Sequence, residues 1–266
     1  MKPVLELRAT PPEGRAPGAW VVASGKGGVG KSLLSTLLAV ESARRGRATL
    51  LFDGAQNQGN LHVLLDRRPA RGLSAVWHGE AEPAELLIPL RDRLWLLPAP
   101  PGEHLPHSLG PLERARLHYW LSALYQRFDR VIVDGGPGLE GALRAATIGA
   151  SGMAVVAVPE PAALSDAYAL VKLAHLGAPH LPVGLVVNRV ESEGEAEAVH
   201  ERLELATRKF LRRELPLLGA VPEEGALRLA ARTPGRLLER APESVEHAVR
   251  TIVDRFESLA PAEAAA

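Results

Sequence analysis

The sequence predicts an α/β fold, a doubly wound and mostly parallel sheet with helices on both faces. Short apolar runs alternate with stretches of helical periodicity, the runs are apolar on both of their faces, and a glycine-rich loop follows the first run and opens the first helix. The runs are Ala19–Ala23, Ala48–Phe52, Arg93–Leu97, Val131–Val133, Met153–Val158, Val183–Val187 and Leu217–Val221. Val, Ile and Leu dominate them, as suits a strand covered from both sides. Helical stretches lie between most of them, at Lys31–Arg45, Glu113–Arg127, Ala142–Gly149, Ala162–Leu176, Glu195–Arg213 and Glu243–Leu259. The alternation extends from Ala19 to Leu259 and points to one domain, residues 19–259. The proline-rich stretch Pro98 to Pro111 reads as a surface loop within it, because the pattern continues on each side. Residues 1–18, broken by Pro3, Pro11, Pro12 and Pro17, read as a flexible tail. Pro261 ends the last helical pattern, so residues 260–266 read as a frayed end.

Composition narrows the function classes. A chain of 266 residues that is 46% hydrophobic can bury a full core. Its 31 basic side chains balance 31 acidic ones, so no global field draws nucleic acid or an anionic membrane. Cysteine is absent, which excludes disulfides, thiolate nucleophiles and zinc or iron–sulfur sites built on Cys. The nine His residues show no metal-binding spacing, so Mg²⁺ is the one metal expected. The N-terminus lacks the apolar stretch of a signal peptide, and runs such as Met153 to Val158 fall far short of the roughly 18 residues that suggest a membrane span. These features predict a cytoplasmic protein, with a peripheral position at the inner membrane as the alternative.

The strongest chemical signal is Gly25-Lys26-Gly27-Gly28-Val29-Gly30-Lys31-Ser32, a G-x-x-x-x-G-K-[ST] loop between an apolar strand and a helical pattern. Its glycines let the backbone curl so that N–H groups point at phosphate oxygens, and the helix beginning near Lys31 adds its positive dipole end. Lys31 is expected to reach the β- and γ-phosphates of ATP, and Ser32 to offer a hydroxyl to Mg²⁺. The nucleotide-binding stretch is Gly25 to Leu33. An ordinary glycine-rich turn is the alternative, and the strand and helix on either side argue against it. Two of the chain's five lysines fall in this loop.

The first of them carries a resemblance. Lys26, five residues before Lys31, makes the loop similar to the deviant Walker A motif of the MinD/ParA group of ATPases. In that family this lysine crosses a nucleotide-sandwich dimer to the phosphates held by the other subunit. The resemblance implies that Lys26 couples ATP to homodimerisation; the alternative is a solvated loop lysine. Val131-Ile132-Val133-Asp134-Gly135-Gly136-Pro137-Gly138 resembles the family's Walker B region, and Asp53, closing Leu50-Leu51-Phe52-Asp53, stands where the family places a carboxylate facing metal and switch. Asp53, Asp134 and Ser32 are the implied metal-site residues, and Lys26, Lys31 and Asp53 the implied catalytic ones. A helix cap is the alternative for either Asp alone, and it weakens for the two together, after two apolar strands and downstream of the loop. Asn188 and Arg189, in Val186-Val187-Asn188-Arg189, resemble the segment whose Asn reads adenine, and Pro222, in Gly219-Ala220-Val221-Pro222, the adenine-side loop. An Asn that only ends a strand is the plain alternative.

Pro159-Glu160-Pro161 through Ser165-Asp166-Ala167-Tyr168 to Lys172 resembles the corresponding stretch of the FlhG/FleN ATPases, which set flagellar number and placement. Read from its residues, the stretch is a strand–helix connection in which Ser165 or Asp166 can cap the turn. The chain departs from the family at Ala55, where a second acid that positions water is expected, which implies slow hydrolysis. The N-terminal element with which FlhG relatives engage their GTPase partner is not visible in residues 1–18. The expected partners are ATP or ADP, a second copy of the chain, and a protein the sequence does not name. A membrane surface finds no support: the last helical pattern sets Val245, Ala248, Val249, Ile252, Val253 and Phe256 on one face, but it also carries Glu243, Glu246, Asp254 and Glu257, which favours packing on the domain. Arginine clusters at Arg208 to Arg213 and Arg228 to Arg240 are interleaved with Glu and read as solvated helix faces, so nucleic acid is not expected. Two rivals stay open, a hydrolysis-deficient nucleotide-binding scaffold and a ParA-type ATPase that partitions cargo on DNA.

Overall fold

A computed structural model describes residues 19–55, 59–99, 110–136, 150–239 and 241–259. Eight strands form one sheet: β1 (Ala19–Ala23), β2 (Thr49–Gly54), β3 (Ile88–Arg91), β4 (Leu94–Leu97), β5 (Arg130–Gly135), β6 (Ala150–Ala157), β7 (Val183–Val190) and β8 (Leu217–Pro222). Their spatial order is β3-β4-β2-β5-β1-β6-β7-β8, parallel throughout except for β3, which runs antiparallel to β4 at the edge. The chain winds outward in both directions from β1, so the loop after β1 leaves the sheet where the strand order reverses. Doubly wound sheets form their ligand crevice at such a point.

Alternating side chains divide the core into two layers. Ala19, Val21 and Ala23 of β1 face a layer that includes buried residues of α3 (Leu73–Trp77), α4 (Pro111–Tyr125), α5 (Pro161–Gly177) and α6 (Glu193–Leu211). Trp20 and Val22 face the opposite layer, built from α1 (Lys31–Arg44), α2 (Leu61–Leu64), α7 (Gly225–Arg232) and α8 (Glu243–Leu259). Strands buried on both faces explain the uninterrupted apolar runs.

The expected apolar face of α8 is consumed by this packing. Val245, Val249, Ile252, Val253 and Phe256 are buried, Phe256 stacks on Trp20 at 4.3 Å between centroids, and Gly152 and Gly219 leave room for Phe256 and Ile252. Three of its acids pair with arginines of the domain: Glu246 with Arg44 at 2.7 Å, Asp254 with Arg45 at 2.5 Å, and Glu257 with Arg47 and with Arg130 at 3.0 Å. No helix among the described residues is long and apolar enough to cross a membrane.

Several elements depart from the sequence reading. Strand β3 was absent from it because Pro89 interrupts a four-residue run; an edge strand tolerates the missing N–H. Arg93, expected to begin a strand, sits in the turn before β4 with φ of 55°. Ser165 and Asp166 lie inside α5, whose N-cap is Glu160 with Pro161 in its first turn, so neither caps it. Helices α2, α3 and α7 are too short to show a periodic pattern. The expected helix Ala142–Gly149, both terminal tails, residues 56–58 and most of the Pro98 to Pro111 loop lie outside the described residues.

Candidate functional site

The loop between β1 and α1 rises from the carboxyl end of the central strand. Gly28 and Gly30 take φ of 79° and 94°, left-handed values that side chains resist. A Cβ on Gly30 would also stand 2.3 Å from Asn188 Nδ2, and one on Gly25 2.2 Å from the Asp166 carbonyl oxygen. The loop is therefore clamped between α5 and the end of β7. Ser24 Oγ donates to the Lys26 carbonyl at 2.6 Å, Asn188 Nδ2 to the Val29 carbonyl at 2.7 Å, and Arg189 Nη2 to the Gly28 carbonyl at 2.9 Å. Arg189 reaches the loop from a left-handed conformation of its own, φ 61°. Carbonyls engaged from behind leave the loop's N–H groups free to turn the other way, toward an anion.

Lys31 and Asp134 meet beneath this loop. Both are buried, and both line a cavity of about 580 Å³ together with Gly27, Gly28, Ser32, Ala55 and Asn60. Burial pushes the Lys31 ammonium below its ordinary pKa, with the charge of Asp134 opposing. Burial raises Asp134 to about 6, against hydrogen bonds from Ser32 and Ser35 and the charge of Lys31. Ser35, which sequence reasoning missed, lies one turn into α1 with Oγ 3.1 Å from Asp134 Oδ1 and 2.9 Å from the Lys31 carbonyl. Its place one turn after Lys31 was the available signal. A buried carboxylate beside a cavity, with an ammonium and a serine hydroxyl next to it, fits a hydrated divalent cation neutralising phosphate oxygens.

Asp53 stands beside Asp134 in register across β2 and β5. It does not line the cavity. Its Oδ1 accepts from the Ala55 N–H at 3.2 Å and its Oδ2 from the Leu61 N–H at 3.1 Å, which ties the end of β2 to the start of α2. Burial and then the charge of Asp134 raise it to about 7, against those two backbone donors. Among the described residues lining the cavity, Asp134 is the single carboxylate, and Ala55 takes the place where a second acid was expected.

Lys26 does not line this cavity. It is half-exposed, and its Nζ donates to Glu160 Oε2 at 2.8 Å. This hydrogen bond and the charge of Lys26 hold Glu160 below the usual carboxylate range. The segment from Pro159 to Lys172, read from its residues as a plain connection, thus braces the loop twice, through Glu160 and through Asp166.

A second cavity of about 340 Å³ opens beside the first. Asn188, Arg189, Pro222, Glu223, Leu227 and Arg228 line it, and Gly30, Leu33, Ala231 and Arg232 form a wall common to both. Pro222 is the last residue of β8, and the preceding residues of the expected adenine-side loop belong to the strand. The expected residues from Gly25 to Leu33 thus converge with Asn188, Arg189 and Pro222. In the arginine clusters, Arg208 pairs with Glu204 at 3.0 Å and Glu214 at 3.4 Å, and Arg228 with Glu223 at 2.7 Å.

Known proteins are similar to this chain in sequence and fold. The antiactivator FleN of Pseudomonas aeruginosa is 29% identical over 223 residues, covering 84% of this chain and 80% of FleN. The flagellum site-determining protein YlxH of Helicobacter pylori is 29% identical over 244 residues, covering 89% and 82%. Among solved structures, the cell division ATPase MinD of Pyrococcus furiosus superposes with a TM-score of 0.72 at 25% identity, over 92% of this chain and 100% of that one. MinD of Pyrococcus horikoshii complexed with Mg-ADP gives 0.70 at 20% identity, over 92% and 98%. Residues 20–233 match the family described as CobQ/CobB/MinD/ParA nucleotide binding domain. With a match over that span, a P-loop at the switch point of a doubly wound sheet, and relatives of the MinD and FleN kinds, the chain belongs to the MinD-like P-loop ATPases of that family.

Proposed function

We propose that this protein is an ATP-controlled dimerisation switch that helps place or count a cellular structure such as the flagellum. The convergence of Lys31, Ser32 and Asp134 around one cavity beneath the glycine-rich loop carries this reading. ATP lies with its phosphates over residues Gly25 to Ser32, its terminal phosphates against Lys31, and its base toward Asn188 and Pro222. Ser32 and Asp134 would hold Mg²⁺, directly or through its water shell, and Asp53 stands beside Asp134 on the neighbouring strand. The metal, when bound, neutralises charge on the phosphate oxygens. Lys26 contacts the nucleotide of a second copy and thereby ties dimerisation to ATP. The dimer then engages a protein partner in the cytoplasm. FleN and YlxH, one named an antiactivator and the other a flagellum site-determining protein, support the positioning role.

Ala55 favours a second reading for the chemistry, a scaffold that binds ATP and turns it over very slowly. Without a carboxylate there, water has no general base in the described part of the cavity apart from Asp134, which the cation engages.

Calorimetric titration of ATP·Mg²⁺ tests the site: wild type binds and Lys31→Ala nearly abolishes binding, whereas equal affinities would remove the assignment. Light scattering tests the switch: ATP doubles the mass and ADP does not. The same mass with either nucleotide would defeat it.

A further inference from the structure

Arg232 ends α7 on the wall shared by the two cavities, and the other members of that wall, Gly30, Leu33 and Ala231, carry no charge. We infer that Arg232 binds the α-phosphate of the nucleotide. The inference rests on the nucleotide reading above and names a contact that the loop motif does not contain.

A nucleotide with its base beside Asn188 and Pro222 and its terminal phosphates at Lys31 must carry its ribose and α-phosphate across the junction of the cavities. Lys31 and Ser32 serve the far end of that chain. The loop's N–H groups reach the α-phosphate from one side, and on the wall shared by the two cavities Arg232 is the charged side chain that can meet it from the other. Its neighbour one turn earlier, Arg228, is held by Glu223 at 2.7 Å, whereas Arg232 has no carboxylate partner among the described residues. The side chain is exposed, but its backbone is not loose. Leu227 and Ala230 are buried in the core, and the Gly235 N–H donates to the Leu64 carbonyl at 2.9 Å, which ties the exit of α7 to α2 on the far wall of the larger cavity. A planar guanidinium on an anchored helix end suits a phosphate oxygen pair. Because ADP and ATP both carry the α-phosphate, Arg232 strengthens the two equally. It sets affinity for nucleotides over nucleosides and leaves discrimination between the nucleotides to Lys26 and Lys31.

The test is displacement of labelled ADP by adenosine, AMP, ADP and ATP from wild type, Arg232→Gln and Arg232→Lys, each checked by thermal melting for an unchanged fold. Loss of one charge-assisted hydrogen bond predicts about tenfold or greater weakening of AMP, ADP and ATP alike in Arg232→Gln, an unchanged affinity for adenosine, and substantial recovery in Arg232→Lys. Unchanged affinity for all four overturns the inference. So does a loss as large for adenosine, which places the contact on the base, or one confined to ATP, which places it on the terminal phosphate. A wild type that binds none of them defeats the nucleotide reading itself, and this inference with it.

Discussion

Lys26 Nζ and Glu160 Oε2 are 2.8 Å apart within one chain, so the lysine proposed to serve a partner's nucleotide is engaged at home. Glu160 is the N-cap residue of α5, set there by the prolines on each side. Both side chains are substantially exposed, and such pairs are weak and screened by salt. The contact therefore biases Lys26 without locking it.

Removing that bias frees Lys26. Glu160→Gln is expected to lower the ATP concentration at half-dimerisation by a factor of about two to five, with less difference from wild type at high salt. Lys26→Ala is expected to leave a monomer that still binds nucleotide. Sedimentation or light scattering across an ATP titration reads both, and a Glu160→Gln midpoint above that of wild type would show the pair to be needed for assembly.

Ala55 borders the cavity that holds Lys31, Ser32 and Asp134. A positioned base typically contributes about 10²–10⁴-fold to rate, so wild type should hydrolyse ATP very slowly and Ala55→Asp should accelerate it toward that range with little change in affinity. Single-turnover hydrolysis at saturating ATP·Mg²⁺ is the measurement. A fast wild type, or a folded Ala55→Asp with no gain, would move the water-activating position elsewhere.

The neighbouring carboxylates Asp53 and Asp134 make the nucleotide-free protein pH-sensitive. Asp53 rises to about 7 from an ordinary 3.8, so between those values the folded state binds the proton that the unfolded state has released. Stability therefore falls as pH rises through that window, by up to about 4 kcal/mol from this group. Asp53→Asn carries no charge to bury. Its melting temperature relative to wild type should shift in its favour between pH 5 and pH 8 without nucleotide, and a difference that does not move with pH would count against the burial of charge.

The last helix is expected to be integral to the fold. Phe256 is buried against Trp20 and Gly152, and a Phe→Ala change in such a place costs about 3–5 kcal/mol. Urea unfolding of Phe256→Ala should show a loss of that size in a single transition. A loss below about 1 kcal/mol would mean that α8 detaches freely, as a membrane-binding helix must.

By itself the sequence determined the sheet-forming runs, the long helices and the loop from Gly25 to Ser32, because each is written in local order: apolar runs, helical periodicity, and glycines at the spacing a phosphate loop needs. It also placed Asp53 and Asp134 at strand ends, and the strand order then set them side by side. Tertiary structure alone decided which charges face each other. Glu160 reaches Lys26 from 134 residues away, Asn188 reaches Val29 from 159, and both depend on how β6 and β7 stack beside β1. The same is true of Arg232. In the sequence it is one arginine among several at helical spacing; packing separates it from Arg228, giving one a carboxylate and the other the junction of two cavities. Local periodicity records which face of a helix is buried. It carries no record of what an exposed side chain meets, since that is set by elements brought together only when the sheet assembles.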